Sequence, residues 1–217
     1  SRDEADYLLT QGNIRIMLTT PLTKDHPAAE ELSLYGDGVK DVAFTVHDAT
    51  RAYEQALKNG AQSAREPREI SDERGTVMVA SIKTYGRCVH TFVSRSGEYA
   101  LPTVKKGGEF MPVFKHIDSP VNEHNRKRPC GLKYVDHLVG NVELGKMNYW
   151  VEWYENVLGF SMFKHFDEKD ISTEYSALMS KVMAGGNNLE KTPIQHPAPG
   201  RTTSQLMAFM TMRASTP

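Results

Sequence analysis

One histidine in an apolar run is the first residue of this sequence that could carry chemistry. The stretch YVDHLVGNVELGKMNYW, residues 134–150, places His137 beside Asp136 in a run typical of a buried strand. A buried imidazole needs either hydrogen-bond partners or a metal ion. Spacing alone favours a core histidine, because no H-x-x-x-H or H-x-D pattern involves His137. Asp136, the adjacent residue, is expected to point to the opposite strand face.

A repeat contains the element that must position His137. The segment GVKDVAFTVHDATRAYEQALKNGAQ begins at Gly38, and GLKYVDHLVGNVELGKMNYWVEWYENVLGF begins at Gly131. Each segment predicts a strand, a polar turn and an amphipathic helix that ends at a glycine. About three further strands are predicted after each helix. Aligned on the opening glycines, His137 falls opposite Phe44, so this position tolerates a hydrophobic residue.

Composition excludes several classes of protein. The 217 residues carry 26 basic and 27 acidic side chains, which argues against a nucleic-acid or anionic-membrane surface. The mean hydropathy is -0.49, and no apolar run approaches the roughly 20 residues of a membrane span. The two cysteines form neither a disulfide framework nor a zinc spacing, so a cytoplasmic location fits best.

The ends of the sequence predict an incomplete chain. It opens without a methionine on strand-like sequence, with a hairpin expected around Gly12 and Asn13, and it closes on a Met-rich run. The polar, Pro- and Gly-punctuated residues 104–130 are predicted to be a linker. The predicted organisation is therefore an N-terminal barrel over residues 1–103, this linker, and an incomplete C-terminal barrel over residues 131–217.

Several segments together resemble one known family. They are YGDGVKDVAFTVHDA (35–49), TYGRCVHTFVSRSG (84–97), DHLVGNVELGKMN (136–148), TEYSALMSKVMA (173–184) and PAPGRTTSQ (197–205). In this order they resemble the 4-hydroxyphenylpyruvate dioxygenase family of the vicinal-oxygen-chelate superfamily. The resemblance implies an α+β fold of tandem βαβββ modules that form open β-barrels, as in glyoxalase-like proteins. On the family's four-module template, this chain carries the end of module one, module two, the linker and module three.

The resemblance also implies a reaction. The family binds Fe(II) through two histidines and a glutamate, and it converts 4-hydroxyphenylpyruvate and O₂ to homogentisate and CO₂ in tyrosine catabolism. His137 matches the first iron ligand, which makes it the catalytic and metal-binding residue of this chain. The other two ligands have no counterpart, so the 217 residues alone are expected to be inactive. Family members associate into dimers or tetramers, so a homo-oligomer is expected.

Three further residues match substrate-binding positions of the family. Ser180 matches a pocket serine, Gln205 a pocket glutamine, and Gln195 an asparagine that the family usually has in a PINEP pattern. From sequence alone, an ordinary strand serine is as good an interpretation of Ser180 as a pocket residue. For Gln205, a solvated helix residue is the better interpretation. Here the PINEP stretch is PIQHP, where His196 replaces a glutamate and is a minor candidate for a metal ligand.

Two other functions stay open at this point. The resemblance fits 4-hydroxymandelate synthase, which shares the fold, metal and substrate but hydroxylates the benzylic carbon. The chain also fits a degenerate, non-catalytic relative that binds an aromatic acid. The departures at Gln195 and His196 and the lack of two ligands favour this second alternative slightly.

Overall fold

The computed structural model describes residues 2–101, 108–166, 178–186 and 190–197. The strands are β1 (Glu4–Gln11), β2 (Ile14–Pro21), β3 (Asp41–Thr45), β4 (Ser63–Asp72), β5 (Gly75–Lys83), β6 (Val89–Arg95), β7 (Gly140–Asn141), β8 (Ser161–Phe166), β9 (Leu178–Ala184) and β10 (Lys191–Pro197). The helices are α1 (Pro27–Tyr35), α2 (Ala49–Lys58), α3 (Pro120–Lys127) and α4 (Met147–Leu158), and a 3-10 turn covers Gly97–Tyr99.

The chain begins with the predicted hairpin. Strands β1 and β2 pair antiparallel from Glu4 with Pro21 to Gln11 with Ile14. Gly12, with φ of 58°, and Asn13 form the turn between them. A positive φ costs glycine little, which explains why the tight turn falls there.

The first repeat folds as one βαβββ unit. Its sheet has the order β3-β6-β5-β4, in which β3 and β6 are parallel and the other pairs are antiparallel. Helix α2 connects β3 to β4 and packs on one face of the sheet. The Asp48 carboxylate accepts a hydrogen bond from the Arg51 backbone N–H and caps the helix.

The second repeat has the same topology. Its sheet has the order β7-β10-β9-β8, with β7 parallel to β10 and antiparallel pairs elsewhere. Helix α4 ends at Gly159, whose left-handed conformation (φ 67°, ψ 25°) is the predicted C-cap. The tandem βαβββ modules predicted from the repeat are thus confirmed, and each described sheet is open.

Backbone hydrogen bonds align the two repeats residue by residue. The Val46 N–H donates to the Val93 carbonyl at 2.9 Å, and the Val142 N–H donates to the Gln195 carbonyl at 3.0 Å. Both bonds continue the parallel pairing of the first strand of a repeat with its last strand. Val46 is therefore equivalent to Val142, and Val93 is equivalent to Gln195.

This alignment corrects the sequence register at His137. Thr45 is equivalent to Asn141, because both precede the aligned valines. The residue four positions before Thr45 is Asp41, and the residue four positions before Asn141 is His137. His137 therefore falls opposite Asp41, and the predicted alignment with Phe44 is wrong. The error arises because the opening glycines are not equivalent points of the two strands.

The prediction that His137 lies on a buried strand is also wrong. Residues 131–139 lie outside any strand, and β7 begins only at Gly140. The His137 side chain is 50% exposed. β7 is an edge strand that pairs only with β10 among the described strands, and residues 131–139, which lead into it, are exposed.

The two repeats share their hydrophobic packing. Val157 of α4 belongs to the same buried cluster as Tyr53, Ala80 and Phe92 of the first repeat. Trp153 of α4 packs against both this cluster and that of the second repeat. Among the described helices, none combines the length and apolar character that a bilayer crossing requires.

Candidate functional site

The second sheet has two chemically different faces. Helix α4 packs on one face, where Met183 and Ile194 are fully buried. Successive strand residues point to opposite faces, so Ser180 and Gln195 lie on the face away from α4. We call this the site face, because the substrate-binding residues predicted from β9 and β10 lie on it.

A row of polar side chains crosses the site face. Ser180 on β9 pairs with Gln195 on β10, and Gln195 pairs with Asn141 on β7. The Gln195 amide Nε2 donates to Asn141 Oδ1 at 2.8 Å. Ser180 is buried. The bond to Asn141 orients the Gln195 amide and leaves its Oε1 as an acceptor for a ligand hydroxyl.

His137 lies at the rim of this face. The Leu138 N–H donates to the Lys191 carbonyl at 3.3 Å, which extends the pairing of β7 with β10 back towards His137. Relative to the pairing of Asn141 with Gln195, this bond places His137 beside Lys191, although His137 itself lies outside the strand. The structure thus pairs Ser180 with Gln195 on one face and places His137 at the start of the edge strand that borders them.

Asp136 binds the His137 imidazole, contrary to the sequence prediction that it points away. The distance from Asp136 Oδ2 to His137 Nδ1 is 2.7 Å. This hydrogen bond, helped by the charge of Lys191, lowers the pKa of Asp136. A carboxylate at Nδ1 favours the proton on that nitrogen and leaves the Nε2 lone pair for a metal, as in carboxylate–histidine–metal arrangements. The prediction failed because it assumed an extended strand through Asp136.

The first repeat is apolar at two of the three positions of the polar row, and it has Thr45 at the third. Val79 and Val93 occupy the positions equivalent to Ser180 and Gln195. Val93 is buried in a cluster with Tyr99, so this part of the first sheet is already filled by its own side chains. The contrast shows that polar residues are not required by the topology at these positions.

His196 lies on the opposite face from its neighbour Gln195. It is buried, and together with His165 and Lys181 it lines a cleft of about 240 Å³ beside the start of α4. Adjacent strand residues point in opposite directions, so His196 points away from the site face. The direction of His196 therefore weighs against its minor role as a ligand to the same metal.

The side chains that the structure describes can be compared with the two histidines and one glutamate that the resemblance implies as iron ligands. No group of three His, Cys, Asp or Glu side chains converges among the residues that the structure describes. His137, with its Asp136 partner, has the chemistry of one imidazole ligand for Fe(II). Gln205, the third predicted substrate residue, lies outside the described residues.

Sequence reasoning missed two residues of this site. Asn141 stands in the DHLVGN motif four residues after His137, and this nearness to the predicted ligand was the available signal. Asp136 was visible as the neighbour of His137, but its hydrogen bond depends on a local backbone departure from the strand. That departure had no signal in the sequence.

The chain was compared with known proteins. No family model matches it. It is 41% identical over 212 residues to a 4-hydroxyphenylpyruvate dioxygenase of Dictyostelium discoideum, which covers 97% of this chain and 56% of that protein. It is 36% identical over 224 residues to one of Coccidioides posadasii, at 97% and 54% coverage. The chain thus spans about half the length of the curated relatives it matches.

Solved structures share the fold. A mutant of 4-hydroxymandelate synthase from Streptomyces coelicolor superimposes with a TM-score of 0.73 at 16% identity, over 98% of this chain and 56% of that one. A fusion of a xylose isomerase-like TIM barrel with 4-hydroxyphenylpyruvate dioxygenase gives a TM-score of 0.59 at 15% identity, over 99% of this chain and 29% of the fusion. At these identities the likeness establishes the vicinal-oxygen-chelate-like fold alone.

Sequence and fold agree in this comparison. The similarity to the curated relatives runs through nearly all of the chain and includes the DHLVGN segment. The fold neighbours repeat the tandem βαβββ arrangement that carries the polar row. By sequence, this chain belongs to the 4-hydroxyphenylpyruvate dioxygenase family, of whose curated members it spans about half.

Proposed function

We propose that the full-length protein is an Fe(II)-dependent dioxygenase that converts 4-hydroxyphenylpyruvate and O₂ to homogentisate and CO₂ in tyrosine catabolism. The observation that carries this proposal is the row of Ser180, Gln195 and Asn141 on one sheet face, with His137 four residues before Asn141 in the chain. The first repeat of the same chain has valines at two of these positions, which supports a functional reason for the polar residues of the second repeat.

His137 would be one ligand of the iron, with Nε2 as the ligating atom. The hydrogen bond between Asp136 Oδ2 and His137 Nδ1 would hold the ring orientation and the tautomer. Bound Fe(II) would supply the activation of O₂ and the redox chemistry. The remaining ligands of the facial triad would come from residues beyond those described.

The polar row would orient the substrate. Ser180 Oγ can donate to or accept from a polar group of the bound acid, and Gln195 Oε1 can accept from the phenol hydroxyl. The Asn141 hydrogen bond holds the Gln195 amide in place before the substrate arrives. Such preorganisation matters because a displacement of about 1 Å can reduce the rate roughly 100-fold.

The family also supports wider proposals for the whole protein. Residues 131–217 would belong to the metal-binding half and residues 1–103 to a metal-free half, connected by residues 104–130. The valines that replace the polar row in the first repeat support this division. We further propose a cytoplasmic homo-oligomer that binds neither nucleic acid nor membrane, in keeping with the balanced charge of the chain.

Product analysis tests the proposed function. The full-length protein is incubated with Fe(II), ascorbate, O₂ and 4-hydroxyphenylpyruvate, and the products are separated by chromatography. Homogentisate is expected from the wild type, and its formation should be lost in His137→Ala, which removes a ligand. His116→Ala is the matched control, because His116 is an exposed histidine in a chain segment outside both sheets.

Other products would identify the alternatives. Formation of 4-hydroxymandelate in place of homogentisate would contradict the proposed reaction. It would indicate the activity of 4-hydroxymandelate synthase, the enzyme of the solved fold neighbour. Substrate binding without any oxygen consumption would identify a non-catalytic relative, which the Gln195 and His196 departures would then explain. Equal activity of His137→Ala and wild type would contradict the assignment of His137.

A further inference from the structure

A buried histidine outside the site has a fixed protonation pattern. His90 on β6 is fully enclosed, and its Nδ1 lies 3.1 Å from the Val42 carbonyl oxygen. A carbonyl can only accept, so Nδ1 carries the proton and Nε2 carries a lone pair. The Tyr154 hydroxyl, 2.7 Å from Nε2, is therefore the donor of the second hydrogen bond. The imidazole is neutral, with both nitrogens satisfied.

This bond joins the two repeats. His90 belongs to the sheet of the first repeat, whereas Tyr154 belongs to α4 of the second. Tyr154 has no exposed surface, and its ring also contacts the His90 ring at a centroid distance of 5.6 Å. The phenol of Tyr85, from the loop between β5 and β6, interacts with the Tyr154 hydroxyl as well. The polar groups between the repeats thus form one buried cluster.

A second contact connects this cluster to the site. A Cβ atom at Gly140 would lie 2.6 Å from the Cζ and hydroxyl oxygen of Tyr85. The Tyr85 ring thus occupies the space of a side chain at position 140 in β7. The next residue is Asn141, which accepts the hydrogen bond from Gln195. The first repeat therefore touches the strand that carries the polar row.

We infer that His90, Tyr154 and Tyr85 are positioning residues, which set the location of β7 and hence of Asn141, Gln195 and His137. His90 holds α4 through Tyr154, while Tyr85 contacts β7 directly through Gly140. None of the three touches the substrate row itself. The catalytic part of this inference rests on the proposed function, whereas the structural part does not.

Amide hydrogen exchange of the full-length protein tests the inference without catalysis. Tyr154→Phe removes only the hydroxyl and leaves His90 Nε2 without its donor. Exchange of residues 136–146 is expected to quicken about tenfold, as when one buried hydrogen bond is lost. Tyr53→Phe is the matched control, because its hydroxyl donates to Ser63 Oγ at 2.7 Å within the first repeat.

The exchange results separate positioning from general destabilisation. Equal quickening of residues 136–146 in Tyr154→Phe and Tyr53→Phe would overturn the inference, and so would no change in Tyr154→Phe. If the wild type forms no homogentisate, the proposed function fails, and the exchange comparison still decides whether His90 and Tyr154 position β7.

Kinetics test the catalytic part when the wild type is active. Tyr154→Phe and His90→Leu are each expected to lower kcat/KM about tenfold, and the double variant no further, because the two side chains act as one unit. His90→Gln should restore most of the loss, since its amide oxygen can accept from Tyr154 near the place of Nε2. Unchanged kcat/KM in Tyr154→Phe, or additive losses in the double variant, would overturn it.

Discussion

At the scale of single residues, hydrogen bonds decide the chemistry of two histidines. His137 is half exposed, and Asp136 binds its Nδ1, so its Nε2 can serve a metal. His90 is buried with both nitrogens paired, so it is structural. The sequence places both imidazoles in apolar surroundings, and only their partners distinguish the two roles.

The Asn141 amide has a testable effect on the substrate row. Asn141→Ala in the full-length protein should lower kcat/KM roughly tenfold, because the Gln195 amide loses the acceptor that orients it. Asn141→Asp keeps an acceptor oxygen and should retain more activity. Asn59→Ala is the control, since Asn59 accepts from Gln55 at 3.0 Å in an exposed pair. Steady-state kinetics that show equal losses for Asn141→Ala and Asn59→Ala would contradict this role.

His90 makes stability depend on pH. Burial lowers the pKa of His90 from its ordinary value of 6.5 to about 4. Between these values the unfolded chain binds a proton that the folded chain does not, so the free energy of unfolding falls as the pH drops from 6.5 towards 4. The full loss is about 3 kcal/mol by linkage. Tyr154 and Tyr85 do not change charge in this range, because burial raises both pKa values. Burial also raises the pKa of Asp41, on the strand next to His90, and this makes stability depend on pH with the opposite sign.

Denaturant unfolding between pH 4 and 7 measures this dependence. His90→Gln should flatten the profile relative to the wild type, because glutamine does not titrate. His124→Gln, on the exposed side of α3, is the matched control. A wild-type profile that matches the His90→Gln profile would show that His90 is not the source of the pH dependence.

At the scale of elements, local signals predicted most of the fold. Three boundaries depend on a property of one residue. Asp48 caps a helix through its side chain, and Gly159 and Gly12 adopt a positive φ at a helix end and a hairpin turn. The register of the repeats was not predictable in this way. The register depends on the pairing between β7 and β10, which are far apart in sequence. A shift of a few residues changes which residue of the first repeat is equivalent to His137.

Gly140 tests the contact between β7 and the first repeat. Gly140→Ala should lower the free energy of unfolding by about 1–3 kcal/mol, because its Cβ would overlap the Tyr85 ring. Gly186→Ala is the control, since nothing lies within 4 Å of a Cβ there and neither glycine has a positive φ. Denaturant unfolding should show the loss for Gly140→Ala alone. A loss of similar size at Gly186 would contradict the overlap as its cause.

At the scale of the whole molecule, the two repeats form one packed structure. Val157 of the second repeat is buried in the main cluster of the first, and Trp153 contacts both clusters. The sequence predicted two similar units with a linker between them. It could not predict their contact surface, because residues on α4 such as Tyr154 and Val157 read as an ordinary amphipathic stripe.

Val157 tests this shared packing. Val157→Ala should lower the free energy of unfolding by about 2 kcal/mol, from lost burial and the cavity left behind. The whole transition should shift without splitting into two, because the side chain serves both repeats. Val121→Ala, at a residue that is 64% exposed, is the control. Far-UV circular dichroism that resolves two separate transitions would contradict a single cooperative structure.

The ring of Tyr85 in place of a Gly140 side chain has an evolutionary consequence. A side chain at position 140 and the ring of Tyr85 would occupy the same space, although the two residues lie in different repeats. A homologue with a larger residue at the position of Gly140 should have a smaller residue at the position of Tyr85. An alignment of homologues should therefore show covariation between these two positions. After the duplication that the matching topologies indicate, the two halves could no longer diverge independently at this point.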